Sequence, residues 1–302
     1  MKDPVISLCV CTLAGSGRIE DTLWSLSCQS ADADRYEILV IENDAASAEA
    51  TGKVVAGLRG RAREIRLVVE PMLGLSHARN RAIQESRGDY VFFIDDDATA
   101  APRLVESFID AIETQSPDVI GGNVLPLFEV MPPPELEYAW WPHWSLKHFG
   151  DRDRWLAEDE YFLGTNVGAS RTLLLEEGFD ARLGRTGDDL MGGEEWFLGS
   201  PRFRRRFVSG AVVFHQVNAE RMTPEYLVKR MYYGTQSWAR HQGRSGGVQK
   251  LAVHEVLRSR LQRSTRQLRL LARKLYLAWR IRQERRRFIR EQVARAAGQA
   301  KS

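Results

Sequence analysis

Short apolar runs recur along the first third of the chain, and segments with helical spacing separate them. The runs are rich in β-forming residues and cover 5–11, 36–41, 66–69 and 90–94. Between them, apolar residues follow a helical period from Ile19 to Ser27, and helical character returns over 77–87. Strands of this length that alternate with helices predict βαβ units and a parallel sheet covered on both faces. We therefore predict a doubly wound α/β half over residues 1–125.

The pattern becomes irregular after residue 125. A stretch with little periodicity contains the aromatic residues Trp140, Trp141, Trp144 and Trp155. A loop of this length is uncommon unless it has a function, and its apolar ring faces can pack against a ligand. A structural cap over the sheet is the alternative.

Regular structure is predicted again further along the chain. Residues 207–214 form an apolar run typical of a strand, and a helix extends to about His241. Thr223 is suited to cap that helix, with Pro224 at its first position. We assign residues 126–248 to a second half of the same domain.

Charge sets the C-terminal residues 249–302 apart from the rest. They hold sixteen Lys and Arg against three Glu, a net charge of +13, whereas the whole chain carries +3. Apolar residues recur among them at helical steps, which predicts one or two basic amphipathic helices. Such a tail can lie on an anionic membrane surface, bind nucleic acid or pack on the acidic body.

Composition excludes several classes of protein. Hydrophobic residues at 43% and charged residues at 27% are typical of a folded globular chain. No window reaches the roughly 18 consecutive apolar residues of a membrane-spanning helix, and no secretion signal precedes the first strand. The odd set Cys9, Cys11 and Cys28 argues against a disulfide framework. We expect three buried thiols and a cytoplasmic protein.

Polar residues follow each of the apolar runs, at the point where each predicted strand ends. They are Thr12, Glu42-Asn43-Asp44, Glu70 and Asp95-Asp96-Asp97. Ligands of such sheets bind beyond the carboxyl ends of the strands. Clustered carboxylates repel each other unless a cation lies among them, and Mg²⁺ or Mn²⁺ prefers such oxygens. The triplet therefore predicts a metal site, with a solvated acidic turn as the structural alternative.

Two other enzyme classes match parts of the pattern. Residues 93–99 also fit the apolar-Asp-x-Asp-x-Thr motif of haloacid-dehalogenase-like phosphatases, with 187–189 as their distal acidic motif. Those enzymes normally place the nucleophilic aspartate on the first strand, whereas the triplet follows the fourth run here. Gly15-Ser16-Gly17 and Glu42 fit part of a dehydrogenase fingerprint, but Glu20 replaces its third glycine.

The ordered set of segments resembles the family 2 inverting nucleotide-sugar glycosyltransferases of the GT-A fold, from about Val5 to about Arg240. The segments that carry the resemblance include 5–13, 38–44, 70–80 and 88–97. The implied fold is α/β, with a doubly wound, mostly parallel sheet, and the basic residues 249–302 add a helical extension to it.

The resemblance implies a set of contacts to a nucleotide sugar and a metal. The implied donor contacts are Thr12, Leu13, Glu42, Arg79, Asn80, Asp95, Asp96, Arg221 and Arg230. Asp97 is the implied ligand of a divalent cation, Mn²⁺ or Mg²⁺, with Asp95 and His215 beside it. Glu42 replaces an aspartate that contacts the base in the family. A structural ion pair is the alternative for Arg79, and a purely structural role is the alternative for His215.

The resemblance makes residues 1–125 the half that binds the nucleotide sugar, and residues 126–248 the half that binds the acceptor and carries the catalytic base. Residues 164–169, which include Asn166, resemble a segment on the acceptor side of the family's site. Further candidates for contact with the acceptor are Trp140, Trp141 and Trp144. Glu194 and Glu195 stand where the family carries Glu-Asp, whose second acid is the catalytic base. Glu195 is therefore the implied base, and Glu194 is the second candidate.

Together these expectations describe an inverting enzyme that moves a sugar from a nucleotide diphosphate to a hydroxyl. We expect a UDP-sugar, the commonest donor of the family, and a glycan or lipid-linked saccharide as acceptor in bacterial cell-surface polysaccharide synthesis. The basic tail is expected to bring a cytoplasmic protein to the inner face of the plasma membrane, without nucleic acid as a partner. An inactive nucleotide-sugar-binding or scaffold protein is the alternative from a different class.

Overall fold

A computed structural model describes residues 4–14, 18–58, 64–132, 136, 138–187 and 189–241 of the chain. The predicted basic helices at 249–302 lie outside these residues. The described part contains a nine-stranded sheet, with strands β1 (Ile6–Thr12), β2 (Tyr36–Glu42), β3 (Ile65–Val69), β4 (Tyr90–Asp95), β5 (Ala98–Ala100), β6 (Val119–Phe128), β7 (Arg154–Trp155), β8 (Asn166–Ser170) and β9 (Arg205–Val217).

The sheet is mixed. Its order is β3-β2-β1-β4-β8-β6-β9-β5, and β7 pairs with β9 off this path. Strands β3, β2, β1 and β4 run parallel, and β8 pairs antiparallel with both β4 and β6. The parallel part brings the carboxyl ends of β1, β2, β3 and β4 to one edge, where the acidic residues lie.

Six α-helices accompany these strands in the described residues. They are α1 (Ile19–Ser27), α2 (Ala48–Gly57), α3 (Leu75–Glu85), α4 (Leu104–Gln115), α5 (Arg171–Glu177) and α6 (Pro224–His241). The predicted cap of α6 is confirmed, because the backbone N–H of Tyr226 donates to Thr223 Oγ1 at 3.2 Å. Four short 3-10 helices cover Ala45–Ser47, Tyr138–Trp144, Glu194–Gly199 and Ala219–Met222.

Two hydrophobic clusters pack on the two faces of the sheet, because side chains alternate along a strand. In β1, Leu8 and Val10 join the cluster that includes α1 and α4. Cys9 joins the other cluster, which includes residues of α3 and α5. Both faces of the central strands are therefore buried, as the near-continuous apolar runs predicted.

The α/β fold class is confirmed, with differences in detail. The predicted strands near the N-terminus match β1, β2, β3 and β4, whereas β6 and β8 were not predicted. Cys9 is buried and Cys11 is half-buried, but the expectation for Cys28 was wrong, because this thiol is exposed. Among the described residues, no helix is long and apolar enough to cross a membrane.

The described residues separate into two compact units. One comprises those within 1–127, 145–188 and 192–216, and it contains the acidic edge of the sheet. The other comprises those within 128–144, 189–191 and 217–241. The division into halves at residues 125 and 248, drawn from the sequence, stays a prediction.

Candidate functional site

Two strand pairings bring the acidic triplet together with a histidine that lies far along the chain. Strand β4 ends at Asp95, and a tight turn through Asp96 and Asp97 leads into β5. Strand β5 pairs antiparallel with β9, which places Ala98 opposite His215. The Nε2 atom of His215 therefore lies 3.0 Å from Asp97 Oδ1 and 3.9 Å from Asp95 Oδ2.

These three side chains fit a divalent cation. Asp95, Asp97 and His215 each offer one ligand atom, and the three atoms lie within 4.8 Å of one another. Carboxylate oxygens suit Mg²⁺ and Mn²⁺, and imidazole is a common ligand of transition metals. Three protein ligands also leave coordination positions for other oxygens. The donor set is therefore compatible with Mn²⁺ or Mg²⁺.

Threonine hydroxyl groups orient two of the three aspartates. Thr12 Oγ1 donates to Asp96 Oδ2 at 2.6 Å, because β1 lies beside β4 in the sheet. Thr165 Oγ1 donates to Asp95 Oδ2 at 2.7 Å, because β8 begins next to the end of β4. Thr22 on α1 donates to the backbone oxygen of Asp96 at 3.0 Å. Partners of this kind hold metal-binding carboxylates in one orientation.

Sequence reasoning did not identify Thr22 or Thr165 as site residues. Thr165 belongs to the segment 164–169, which resembled an acceptor-side segment of the family, but its side chain donates to the carboxylate of Asp95. Thr22 sits in the apolar periodicity of α1, where no feature of the sequence separates it from an ordinary helical residue. Only the pairing of the strands and the packing of α1 bring them to the site.

Arg79 lies in a buried ion pair beside the triplet. Its Nη1 donates to Glu194 Oε1 at 2.6 Å, and its Nη2 lies 3.8 Å from Asp95 Oδ1. Burial alone would lower the pKa of Arg79, but the negative charges of Glu194 and Asp95 outweigh burial and raise it. The structure thus gives Arg79 the ion-pair environment that was the alternative to a donor contact.

Glu194 and Glu195 begin the 3-10 helix Glu194–Gly199 and have different surroundings. Glu194 is 5% exposed and bound to Arg79, whereas Glu195 is half-buried. Gly193 precedes them with a φ of 84°, a backbone conformation that residues other than glycine rarely adopt. The carboxylate of Glu194 is thus held by Arg79, and the part expected of Glu195 as the base stays a prediction.

Both carboxylate oxygens of Glu42 accept hydrogen bonds from other residues of the protein. This fully buried carboxylate accepts from the backbone N–H groups of Ala14 and Asp44 at 3.1 and 2.9 Å through Oε1. Its Oε2 accepts from Thr51 Oγ1 at 2.5 Å. Glu42 therefore holds the turn after β1, where Leu13 is exposed. The base contact expected of Glu42 stays a prediction.

Two asparagines that were expected to contact a ligand form hydrogen bonds with backbone groups of the protein. Asn80 Nδ2 donates to the carbonyl of Phe179 at 2.9 Å, and Asn80 Oδ1 accepts from its N–H at 2.8 Å. Asn166 is buried inside the sheet, where Nδ2 donates to the carbonyls of Asn123 and Ala211 at 3.0 and 3.1 Å. These bonds hold both amides in the fold, and the donor contact expected of Asn80 and the acceptor contact expected of Asn166 stay predictions.

The remaining predicted contacts belong to the second unit. Trp144 is buried, its Nε1 donates to the carbonyl of Arg221 at 2.8 Å, and its ring lies 6.1 Å from that of Phe128. These contacts bury Trp144 within the second unit, and its expected acceptor contact stays a prediction. Trp140 and Trp141 are half-buried, and Arg230 Nη1 donates to the carbonyl of Leu190 at 2.8 Å. The parts expected of Trp140, Trp141, Arg221 and Arg230 in ligand binding stay predictions.

Neither rival enzyme class is supported by this geometry. The acidic triplet follows the fourth strand of the chain and not the first, as the phosphatases require. Their distal motif includes Asp188, which lies outside the described residues. The dehydrogenase alternative needs Glu42 to meet a ribose, and its carboxylate is occupied internally.

Comparison with known sequences points to sugar transfer. The sequence profile of "Glycosyl transferase family 2" matches residues 7–176. A glucosyl-dolichyl phosphate glucuronosyltransferase of Haloferax volcanii is 35% identical over 121 residues, 38% of this chain and 37% of that protein. Glycosyltransferase AglE of the same organism is 25% identical over 122 residues, 40% of each protein. The chain thus spans about two fifths of the length of the curated relatives it matches.

Solved structures share the fold at low sequence identity. The mannosyltransferase PcManGT of Pyrobaculum calidifontis, in complex with GDP-Man and Mn²⁺, has a TM-score of 0.57 and 16% identity. The match covers 93% of this chain and 86% of that one. TarS 1–349 of S. aureus in complex with UDP has a TM-score of 0.53 and 17% identity. This match covers 89% of our chain and 70% of the TarS chain. These likenesses establish the GT-A fold.

Proposed function

Because the chain belongs to glycosyl transferase family 2, we propose that it moves a sugar from a nucleotide diphosphate to an acceptor hydroxyl, with inversion at the sugar. The observation that carries this proposal is the group of Asp95, Asp97 and His215 at the ligand-binding edge of the sheet. We propose that these three side chains hold Mn²⁺ or Mg²⁺. A cation bound there would neutralise charge on the leaving diphosphate.

The proposed base is Glu195. An acceptor hydroxyl attacks more readily when a carboxylate takes its proton in the transition state. Glu195 is half-buried at the start of a 3-10 helix, next to Glu194, whose own carboxylate is held by Arg79. Asp96 is held by Thr12 and supports the donor side in this proposal. Transfer in one displacement inverts the anomeric centre.

The donor and acceptor follow by analogy in this proposal. We favour a UDP-sugar, and the structurally similar TarS was solved with UDP and with UDP-GlcNAc. GDP-sugars are the second choice, since PcManGT was solved with GDP-Man. The glucuronosyltransferase relative is named for a glucosyl-dolichyl phosphate, which supports a lipid-linked saccharide as acceptor. A cytoplasmic site at the membrane surface, reached through residues 249–302, and a part in polysaccharide synthesis belong to the same proposal.

A thermal-shift panel tests the proposed donor site. UDP, GDP, CMP and dTDP sugars are added to the full chain with and without MnCl₂. We expect one nucleotide class to raise Tm, and to do so mainly with Mn²⁺. If no compound stabilises the chain, the donor site is refuted. Stabilisation without turnover on any saccharide acceptor would favour the inactive binding protein.

A further inference from the structure

Arg79 connects three parts of the chain that meet at the site. It lies on α3 and is 3% exposed. Its guanidinium contacts Glu194 at the start of the 3-10 helix and Asp95 at the end of β4, at 2.6 and 3.8 Å. Nη2 also donates to the carbonyl of Gly164, the residue before Thr165, at 3.3 Å. One side chain thus touches both the segment with the proposed base and a proposed metal ligand.

The packing around Arg79 leaves its guanidinium little freedom. The rings of Phe93 and Phe179 lie 5.3 and 5.4 Å from its Cζ atom. A Cβ atom on Gly164 would lie 2.7 Å from Nη2 and 3.1 Å from Nη1, so only glycine permits this approach. A buried charge needs such partners, and the planar guanidinium can bind two oxygen groups at once, which a lysine ammonium does less well.

We infer that Arg79 is a positioning residue, which fixes the 3-10 helix carrying Glu194 and Glu195 relative to the metal carboxylate Asp95. This inference rests on the proposed function. Arg79 acts through Glu194 and Asp95, and it keeps the proton acceptor at a set distance from the leaving group. A displacement of about 1 Å between reacting groups can cost about 100-fold in rate. Arg79 should therefore affect turnover far more than donor binding.

Three variants of the full chain separate positioning from general stability. Arg79→Lys keeps the charge but loses the planar fork, and Gly164→Ala keeps every charge but pushes the guanidinium. Arg66→Lys is the matched control, because Arg66 also pairs with a buried glutamate. Its Nε and Nη2 lie 3.0 and 2.9 Å from Glu37 Oε2. This pair lies near the starts of the parallel strands, whereas the acidic triplet lies at their carboxyl ends.

Two measurements are made on each variant. Hydrogen–deuterium exchange follows the backbone amides of residues 194–199 and does not depend on activity. Turnover is measured as nucleotide release from the nucleotide sugar that most stabilises the wild-type chain, and binding is measured with UDP and MnCl₂. For Arg79→Lys and Gly164→Ala we expect faster exchange at 194–199, a kcat lower by about 100-fold and nearly unchanged UDP binding. Arg66→Lys should resemble wild type in all three.

The outcomes distinguish this inference from the proposed function. Unchanged exchange at 194–199 in both site variants, or a wild-type kcat in both, would overturn the role of Arg79. Equal losses in Arg66→Lys would show that any buried arginine pair has the same effect, and would overturn it too. A wild-type chain that binds no nucleotide sugar would instead count against the proposed function, and the exchange data would still decide whether Arg79 fixes the helix.

Discussion

Asp97 sits at the turn between β4 and β5, 3.0 Å from the imidazole of His215. We predict that Asp97→Asn removes the dependence of nucleotide-sugar binding on Mn²⁺, because the amide that replaces the carboxylate brings no charge to the cation. Thermal shifts with UDP and MnCl₂ measure this. Asp110→Asn is the control, since it makes the same change on the exposed face of α4. A Mn²⁺-dependent shift in Asp97→Asn equal to that of wild type would contradict the metal assignment.

Glu195 is the residue on which the chemistry of transfer depends in our proposal. We predict that Glu195→Gln folds normally and binds the donor, yet loses transfer by about 100-fold or more, because general base catalysis contributes about 100- to 10,000-fold. Initial rates with a saccharide acceptor give the result, and circular dichroism confirms the fold. Full transfer by this variant would rule out Glu195 as the base.

Sequence reasoning was strongest for residues whose type is required by chemistry. The family resemblance predicted a histidine, now seen within β9, beside the carboxylates at the end of β4, and the structure brings Asp95, Asp97 and His215 together. It was weakest for amides, since an asparagine that binds a ligand and one that satisfies a backbone look alike in sequence. Asn80 and Asn166 have backbone partners that only the three-dimensional packing reveals.

At the scale of the elements, glycines decide which strands can pair closely. A Cβ atom on Gly122 in β6 would lie 1.7 Å from the carbonyl oxygen of Ala211 in β9. We predict that Gly122→Ala lowers the free energy of unfolding by about 3 kcal/mol or more, because the backbones must separate. Mn²⁺-dependent binding should weaken as well, since β9 also carries His215.

Gly57 provides the matched control for this change. It ends α2, and no heavy atom lies within 4 Å of the position of its Cβ. Gly57→Ala should stabilise the protein by about 0.5–1 kcal/mol. Urea denaturation measures both variants, and equal effects would show that the contact between β6 and β9 is not tight.

The loop around β7 predicts a dependence of stability on pH. Arg154 binds Glu160 through both guanidinium nitrogens, at 2.5 and 2.6 Å, and this bond lowers the pKa of Glu160 from 4.5 to about 2. A carboxylate whose pKa is lower in the folded than in the unfolded protein stabilises the fold at any pH above the unfolded pKa. This stabilisation is lost as the pH falls through the pKa of the folded protein. Glu160→Gln should therefore be less stable than wild type at pH 7, with a gap that closes between pH 4.5 and about 2.

Urea unfolding at a series of pH values measures that gap. Glu158→Gln is the control, because Glu158 is an exposed neighbour on the same loop and its replacement should change stability little at any pH. A gap for Glu160→Gln that stays constant down to pH 2 would show that the ion pair with Arg154 does not form.

Strands of large apolar residues were predictable, and strands of small residues were not. The runs that became β1, β2 and β4 fill both cores with branched and aromatic side chains. Strand β8 reads Asn-Val-Gly-Ala-Ser, which lacks that signature. Its Gly168 is needed because the ring of Phe92 lies 2.6 Å from the position of a Cβ atom there. The sequence does not show that a glycine is needed at this position, because the need comes from the ring of Phe92, which lies far away along the chain.

For the whole molecule, the uneven charge predicts a partner. Residues 249–302 carry a net charge of +13, and each basic residue near an anionic membrane surface contributes about 1 kcal/mol. We predict that the full chain floats with vesicles that contain phosphatidylglycerol, and that a chain ending at residue 248 does not. Neutral phosphatidylcholine vesicles and high salt are the controls, since screening weakens this attraction. Equal flotation of both chains would remove the tail as a membrane contact.

The pairing of β5 with β9 also determines when the proposed metal site is assembled as the chain is made. Asp95 and Asp97 are synthesised more than a hundred residues before His215, and β9 must pair with β5 before the three side chains meet. Contacts between residues so far apart in sequence require the closure of a long loop, which makes them slow to form. A ribosome-bound chain that has not yet reached β9 therefore has only two of the three proposed ligands, and the proposed cation site is complete only after β9 has joined the sheet.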